Sequence, residues 1–287
     1  MAVHLSGRQR DFLSHTFPGR PVTAGRYPIK IASMKSILWL VIAIFTAGSV
    51  AVADEPKELE PWDRIVCIQS QVESKPGSGK LCSGFFVVAE GSLYLVTAGH
   101  ASEETNLNSR IRYRDPSGKT QWVSLKGFVQ GDGNPWHRNP VSDLAIAKLP
   151  AVDGAETYLG HFKELAISLE SVCRECPPRT TAVVTVGFPL GIGAEDEISP
   201  VAVVGHIASR ETATKNAWGN EPIIFCSPAL AQGTSGGPAF LQSETSNKTS
   251  VVGMYIGVVN DASGAKLSKL VPAHIIHDAI TRMQNGG

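Results

Sequence analysis

The sequence predicts an all-β protein made of two β-barrels closed by a C-terminal α-helix. From Arg64 onward, short runs rich in Val, Ile, Phe and Tyr are broken by Gly, Pro, Asn and Asp at the intervals of antiparallel sheets. The runs fall into two groups, which implies two barrels. No long helical period lies between the groups, which excludes an alternating βαβ plan.

In order along the chain, the first group of expected strands is Arg64–Gln69, Leu81–Ala89, Ser92–Thr97, Trp122–Val129 and Leu144–Leu149. The second is Thr181–Gly187, Val201–Ala208, Ile223–Cys226, Ala239–Leu241, Val251–Val259 and Lys269–Val271. The boundaries that follow are about 62–153 for the first barrel and about 177–271 for the second, with Gly154 to Cys176 as the crossover and Pro177-Pro178 marking its end. Only Pro272 to Met283 reads as a solid helix. Proline suits a first turn, and Ile275, Ile276, Ile280 and Met283 can share one apolar face. There is no internal repeat and no low-complexity tract.

Ahead of the barrels, Met34-Lys35 leads into an apolar run from Ile37 to Ala47 and then small residues through Ala51 and Ala53. A basic start, a short apolar middle and small residues at the end predict a signal peptide over 34–53, cut after Ala53. A membrane anchor is the weaker reading, because the run is shorter than the roughly 20 residues a span needs. Residues 1–33 are polar and lack apolar periodicity, so they are excluded from the fold, and the folded domain is expected over 54–287. Export implies a secreted or periplasmic location, with membrane association only if the leading segment stays uncut.

The 287 residues carry 26 basic and 26 acidic side chains, so charge points neither to nucleic acid nor to an anionic membrane surface. Five cysteines, Cys67, Cys82, Cys173, Cys176 and Cys226, leave an odd thiol in any intramolecular pairing. Cys173-Arg174-Glu175-Cys176 has half of a zinc-ribbon spacing. No second such pair and no histidine at finger spacing follow it, so a local or loop-tethering disulfide is preferred to a metal site.

Three segments carry chemistry. Tyr94-Leu95-Val96-Thr97-Ala98-Gly99-His100 ends a strand in small residues and delivers an imidazole at its tip. Ser142-Asp143-Leu144-Ala145-Ile146-Ala147-Lys148-Leu149 sets a carboxylate just before an alternating apolar strand. Gln232-Gly233-Thr234-Ser235-Gly236-Gly237-Pro238 surrounds a serine with glycines, allowing a tight turn that aims the N–H groups of Gly233 and Ser235 at one spot, as an oxyanion hole requires. Each segment alone has a plain reading as a strand end or a turn. Together they supply the nucleophile, base and orienting group that peptide hydrolysis needs.

In this order, with gaps of roughly 40 and roughly 90 residues, the segments resemble those of trypsin-like serine peptidases, including bacterial Deg or high-temperature-requirement proteases. Ser83-Gly84-Phe85-Phe86, Val186-Gly187-Phe188-Pro189 and Val252-Gly253-Met254 extend the resemblance over about Arg64 to Ile280. It implies two six-stranded antiparallel barrels, protein or peptide substrates, and no metal or organic cofactor. It also implies Ser235 as nucleophile, His100 as general base and then acid, and Asp143 as the group fixing the imidazole.

Digestive trypsins carry an Asp before the nucleophile that receives a new N-terminus. Here Thr234 stands in its place, which implies that such insertion is absent and that signal removal is the only processing required. The chain stops just past its helix and, unlike many Deg-type relatives, leaves no room for a PDZ module. Carried over from the family, Ala229, Gln232, Ile256, Gly257 and Val258 form the primary pocket, implying small or medium apolar side chains before the scissile bond. By the same resemblance Cys82 could pair with Cys67, while His206, His274 and His277 are surface or packing residues. The alternative function is a catalytically silent double barrel that binds peptide segments or acts as a chaperone.

Overall fold

The computed structural model describes residues 60–70, 79–128, 133–149, 156–216, 219–242 and 250–286, all within one compact unit, Asp54–Gly287. The expected extension over 1–33 and signal peptide over 34–53 lie outside the described residues.

Two sheets carry the fold. The first is built on β1 (Ile65–Gln69), β2 (Leu81–Ala89), β3 (Ser92–Ala98), β4 (Arg110–Arg114), β5 (Thr120–Ser124) and β7 (Leu144–Leu149), joined antiparallel in the order β5-β4-β1-β2-β3-β7. Two short strands extend it: β6 (His137–Arg138) beside β7, and β8 (Ile167–Ser168), which pairs parallel with β2. The second comprises β9 (Ala182–Gly187), β10 (Val201–Ile207), β11 (Thr212–Asn216), β12 (Gly219–Ser227), β13 (Pro238–Leu241), β14 (Val251–Asn260) and β15 (Lys266–Pro272). Its order is β10-β9-β13-β14-β15-β12-β11, and a further β10–β12 pairing closes six of these strands into a ring.

Four strands went unread in the sequence. In β4, Arg-Ile-Arg-Tyr-Arg, Ile111 and Tyr113 are buried while the three arginines stand half-exposed, an alternation that charge disguised. Arg110 lies over the Trp122 ring at 4.3 Å, which dresses the outer face of the β4–β5 pair. The strands β6, β8 and β11 were also missed. The expected strand at Trp122–Val129 is instead the end of β5 followed by a 3-10 turn over Leu125–Phe128.

The helices are α1 (Gly99–Glu103), α2 (Glu156–Leu165) and α3 (Ala273–Gln284). The expectation that only the C-terminal segment is a solid helix is corrected by α2, which lies in the crossover. Its Phe162 is fully buried and stacks on Phe86 of β2 at 4.2 Å, with Tyr113 edge-on at 4.9 Å. The helix signal rests on few positions, since among its described side chains only Phe162 and Leu165 are buried. In α3, Ile275, Ile276 and Ile280 are buried, each contributing about 1.5–3 kcal/mol of apolar burial. One hydrophobic cluster runs from Ile65 in the first sheet through Phe240 in the second to Ile280, so the barrels and α3 share a core.

No disulfide forms: all five cysteines are free thiols. The register explains why Cys67 and Cys82 do not pair. Cys67 faces Ser83 and Cys82 faces Ile68 across the β1–β2 ladder, so the two thiols point to opposite sides of the sheet. Burial raises all five thiols, Cys67 to about 12 and Cys226 to about 11, and for Cys176 burial and then the Glu211 carboxylate raise it to about 12. None is poised as a thiolate nucleophile. Among the described residues no helix is long and apolar enough to cross a membrane.

Candidate active site

The site is assembled where both barrels meet. From the first barrel, β3 ends at Ala98 and α1 begins at Gly99, placing His100 in the first turn with its side chain 42% exposed. Asp143 precedes β7, whose Leu144 pairs with Ala98 of β3, so strand register brings carboxylate and imidazole together. Asp143 Oδ2 lies 2.6 Å from His100 Nδ1, and Oδ1 accepts the His100 backbone N–H at 2.7 Å. One carboxylate thus fixes both the ring and the main chain of the same residue. The Gly99 N–H donates to the Asp143 carbonyl, locking the turn further.

Burial alone would raise the Asp143 carboxyl. The hydrogen bond from the His100 ring, the charge of that ring, the His100 backbone N–H and the Arg138 guanidinium together outweigh it and hold the group below its ordinary value. Arg138 Nη1 stands 3.6 Å from Asp143 Oδ1, and Nη2 stands 3.2 Å from Glu103 Oε1. The guanidinium packs so closely on Gly99 that a Cβ there would lie 1.2 Å from Nη1. Behind the carboxylate, the buried Glu221 of β12 accepts the Asp143 backbone N–H at 2.7 Å. Sequence reasoning missed Arg138 and Glu221, because neither stands near the histidine or serine motifs.

From the second barrel comes the serine turn. Gly233 and Gly236 have φ of +94° and +89°, which favour glycine. The turn is also pinned from outside. Ser83 of β2 donates its N–H to the Ser235 carbonyl at 2.8 Å and its hydroxyl to the Gly233 carbonyl at 2.8 Å, while the same hydroxyl accepts from Phe188 N–H. Gly236 N–H donates to Tyr255 of β14, and Tyr255 N–H donates to Gly237.

The Gln232 carbonyl accepts the Leu190 N–H at 2.6 Å. Because a trans peptide points its N–H opposite its carbonyl, this contact turns the Gly233 N–H the other way. Among the described residues neither the Gly233 N–H nor the Ser235 N–H donates to a protein acceptor.

His100, Gln232, Gly233 and Ser235 line one cleft of about 440 Å³, together with Gly79, Lys80, Leu81, Cys82, Ala101, Glu104, Leu190 and Gly191. Lys80 and Glu104 form an ion pair on its wall. Among the described residues no hydrogen bond joins the Ser235 hydroxyl to the imidazole, whose Nδ1 faces Asp143. Of the expected pocket residues only Gln232 lines this cleft. Ala229 is half-buried, Ile256 is buried and Val258 is 38% exposed. These last two flank Gly257 (φ +141°) at a bulge in β14 just past Tyr255.

Leu190, in a left-handed conformation and 74% exposed, was missed by sequence reasoning. The Pro189-Leu190-Gly191 run that contains it is a turn signal that marks the place.

An imidazole steadied by a carboxylate, a hydroxyl in the same cleft and two unpaired N–H groups beside it can together perform nucleophilic acyl transfer. Comparison with known proteins agrees. The sequence pattern of the trypsin-like peptidase domain matches residues 82–254. The apo form of the MamO protease domain from Magnetospirillum magneticum shares the fold at a TM-score of 0.54 and 16% identity, over 76% of this chain and 96% of that one. An inactive serine-to-alanine form of Rv3671c from M. tuberculosis H37Rv does so at 0.51 and 15%, over 78% and 88%. No curated protein matches the sequence.

Proposed function

Since the chain belongs to the trypsin-like peptidase family, we propose that it is a serine endopeptidase in which Ser235, His100 and Asp143 act as a catalytic triad. The observation that carries this reading is the 2.6 Å contact of Asp143 with His100, which itself lines one cleft with Ser235. His100 takes the Ser235 proton as Oγ attacks the scissile carbonyl. Asp143, bonded at Nδ1, fixes the tautomer that leaves Nε2 free to accept and stabilises the cation that forms. The Gly233 and Ser235 N–H groups receive the oxyanion, the leaving amine takes the proton from His100, and water resolves the acyl-enzyme.

The test is active-site labelling. Incubated with a fluorophosphonate, the full chain is expected to be labelled stoichiometrically on Ser235, and a Ser235→Ala variant not at all. For that variant kcat is expected to fall on the order of 10⁶-fold, by analogy with other triads. A folded protein that resists the probe would refute the assignment and favour a silent peptide-binding double barrel.

The preference for small or medium apolar side chains before the scissile bond, discriminating by about 1–3 kcal/mol per methylene, rests on the family correspondence of apolar Ala229, Ile256 and Val258, none of which lines the Ser235 cleft. Cleavage of a peptide library chiefly after Lys, Arg or Glu would overturn that preference. The basic and apolar pattern over 34–53 supports export and cleavage after Ala53. N-terminal sequencing of exported material is expected to begin at Asp54, and a mature chain beginning at Met1 or Met34 would exclude the cleavage.

A further inference from the structure

Away from the cleft, the second barrel gathers three unlike metal-ligating side chains. Glu211 Oε2 accepts from the Cys176 thiol at 3.2 Å and lies 2.7 Å from His274 Nε2, and the three ligand atoms all lie within 4.8 Å of one another. They come from separate parts of the fold. Cys176 closes the Cys173-Arg174-Glu175-Cys176 run ahead of β9, Glu211 stands between β10 and β11, and His274 occupies the first turn of α3. None of them lines the cleft that contains Ser235. We propose that Cys176, Glu211 and His274 bind a zinc ion that clips the C-terminal helix to the second barrel.

Distance, charge and donor chemistry agree. With metal–ligand bonds of about 2.0–2.3 Å, a tetrahedral zinc site holds its ligand atoms about 3.3–3.7 Å apart. The two hydrogen-bonded pairs, at 3.2 and 2.7 Å, are tighter than this and the third pair lies within 4.8 Å, so small side-chain shifts bring all three onto one ion.

A thiolate and a carboxylate neutralise a divalent cation, which suits a site where Cys176 and His274 are half-buried and Glu211 is open to solvent for entry. A sulfur and an imidazole nitrogen favour zinc over magnesium or calcium, which take oxygen ligands. On binding, the Cys176 S–H bond breaks, its proton passes to solvent, the sulfur bonds to zinc and hydration water is displaced. No electrons are transferred. A water completes the fourth position.

The sequence pointed elsewhere, to a disulfide in the Cys173–Cys176 run. No histidine stands at finger spacing downstream of that run, whereas His274 comes to it through the fold from the C-terminal helix.

The test is metal content and spectroscopy on the full chain purified under reducing conditions. About one zinc per chain is expected. Replacement by cobalt(II) is expected to give a near-ultraviolet thiolate charge-transfer band that disappears in Cys176→Ser and persists in Cys226→Ser. Zinc affinity is expected to fall at least about 100-fold in Cys176→Ser and His274→Ala. Chelation is expected to lower the Tm of the wild type and to leave that of His274→Ala unmoved. Should a variant fail to fold, the wild-type cobalt spectrum still decides, since absence of the charge-transfer band overturns the proposal. It is equally overturned by a reduced chain that retains no metal, by unchanged affinity in both variants, or by a mass spectrum placing Cys176 in a disulfide.

Discussion

Gly236→Ala is expected to damage both the stability of the fold and the reactivity of Ser235, and the structure separates the two causes. At Gly236 the φ of +89° costs a side chain about 1–2 kcal/mol. The added Cβ would also lie 2.0 Å from the Ser83 carbonyl oxygen and 2.4 Å from Thr97 Oγ1. Neither atom yields easily, because one is backbone in β2 and the other donates to that same carbonyl at 2.8 Å. Such overpacking adds about 1–3 kcal/mol, for a total of about 2–5 kcal/mol.

Gly91→Ala is the control, since its φ of +77° carries the conformational cost while nothing lies within 4 Å of the new Cβ. Urea unfolding of both variants isolates the steric part as their difference. Fluorophosphonate labelling then reads the site, and a serine displaced by about 1 Å should react about 10²-fold more slowly. If Gly236→Ala unfolds together with Gly91→Ala and labels at the wild-type rate, the Ser83 contact does not hold the turn in place.

Asp143→Asn is expected to lower kcat about 10⁴-fold through loss of the correct imidazole tautomer, and a rate near the wild type would remove Asp143 from its role. The same residue sets an acid dependence of stability. Its carboxyl is held below the ordinary value, so its contribution is complete above about pH 3.9 and is lost as pH falls through the lowered folded-state value. Urea unfolding across acid pH should therefore show a flatter acid limb in the Asn variant. Glu221→Ala leaves the buried Asp143 N–H without its acceptor and should cost about 1–3 kcal/mol, with a fall in kcat. A variant as stable and active as the parent would show that the contact is dispensable. At the alkaline end, Cys67 is raised from 9.0 to about 12, so the stability it contributes is intact below 9.0 and is lost as pH climbs toward about 12. Cys67→Val should flatten that limb, and an unchanged limb would assign it to other groups.

The sequence was most legible where chemistry and periodicity coincide. Thr-Ala-Gly-His, Ser-Asp-Leu-Ala and Gly-Thr-Ser-Gly-Gly each pair a reactive group with a local backbone demand, and the fold brings all three segments to one seam. The two strand groups and α3 were equally readable, because alternation and the spacing of Ile275, Ile276 and Ile280 are local signals. What escaped depends on contacts between distant residues. β4 hides its buried Ile111 and Tyr113 between arginines, α2 is docked by Phe162 with Tyr158 and Leu165 beside it, and Glu221 reaches Asp143 from the opposite barrel. The register that separates Cys67 from Cys82 is likewise invisible until the β1–β2 ladder is aligned.

Ser83 is a first-barrel residue that braces the second-barrel turn through two hydrogen bonds, while its hydroxyl also accepts from Phe188 N–H. An amino-terminal half folded alone holds the imidazole, the carboxylate and the Ser83 brace but no Ser235. The late-emerging half alone has a serine whose turn is unsupported. Under the proposed triad, the reactivity of Ser235 therefore depends on completed docking of the two halves.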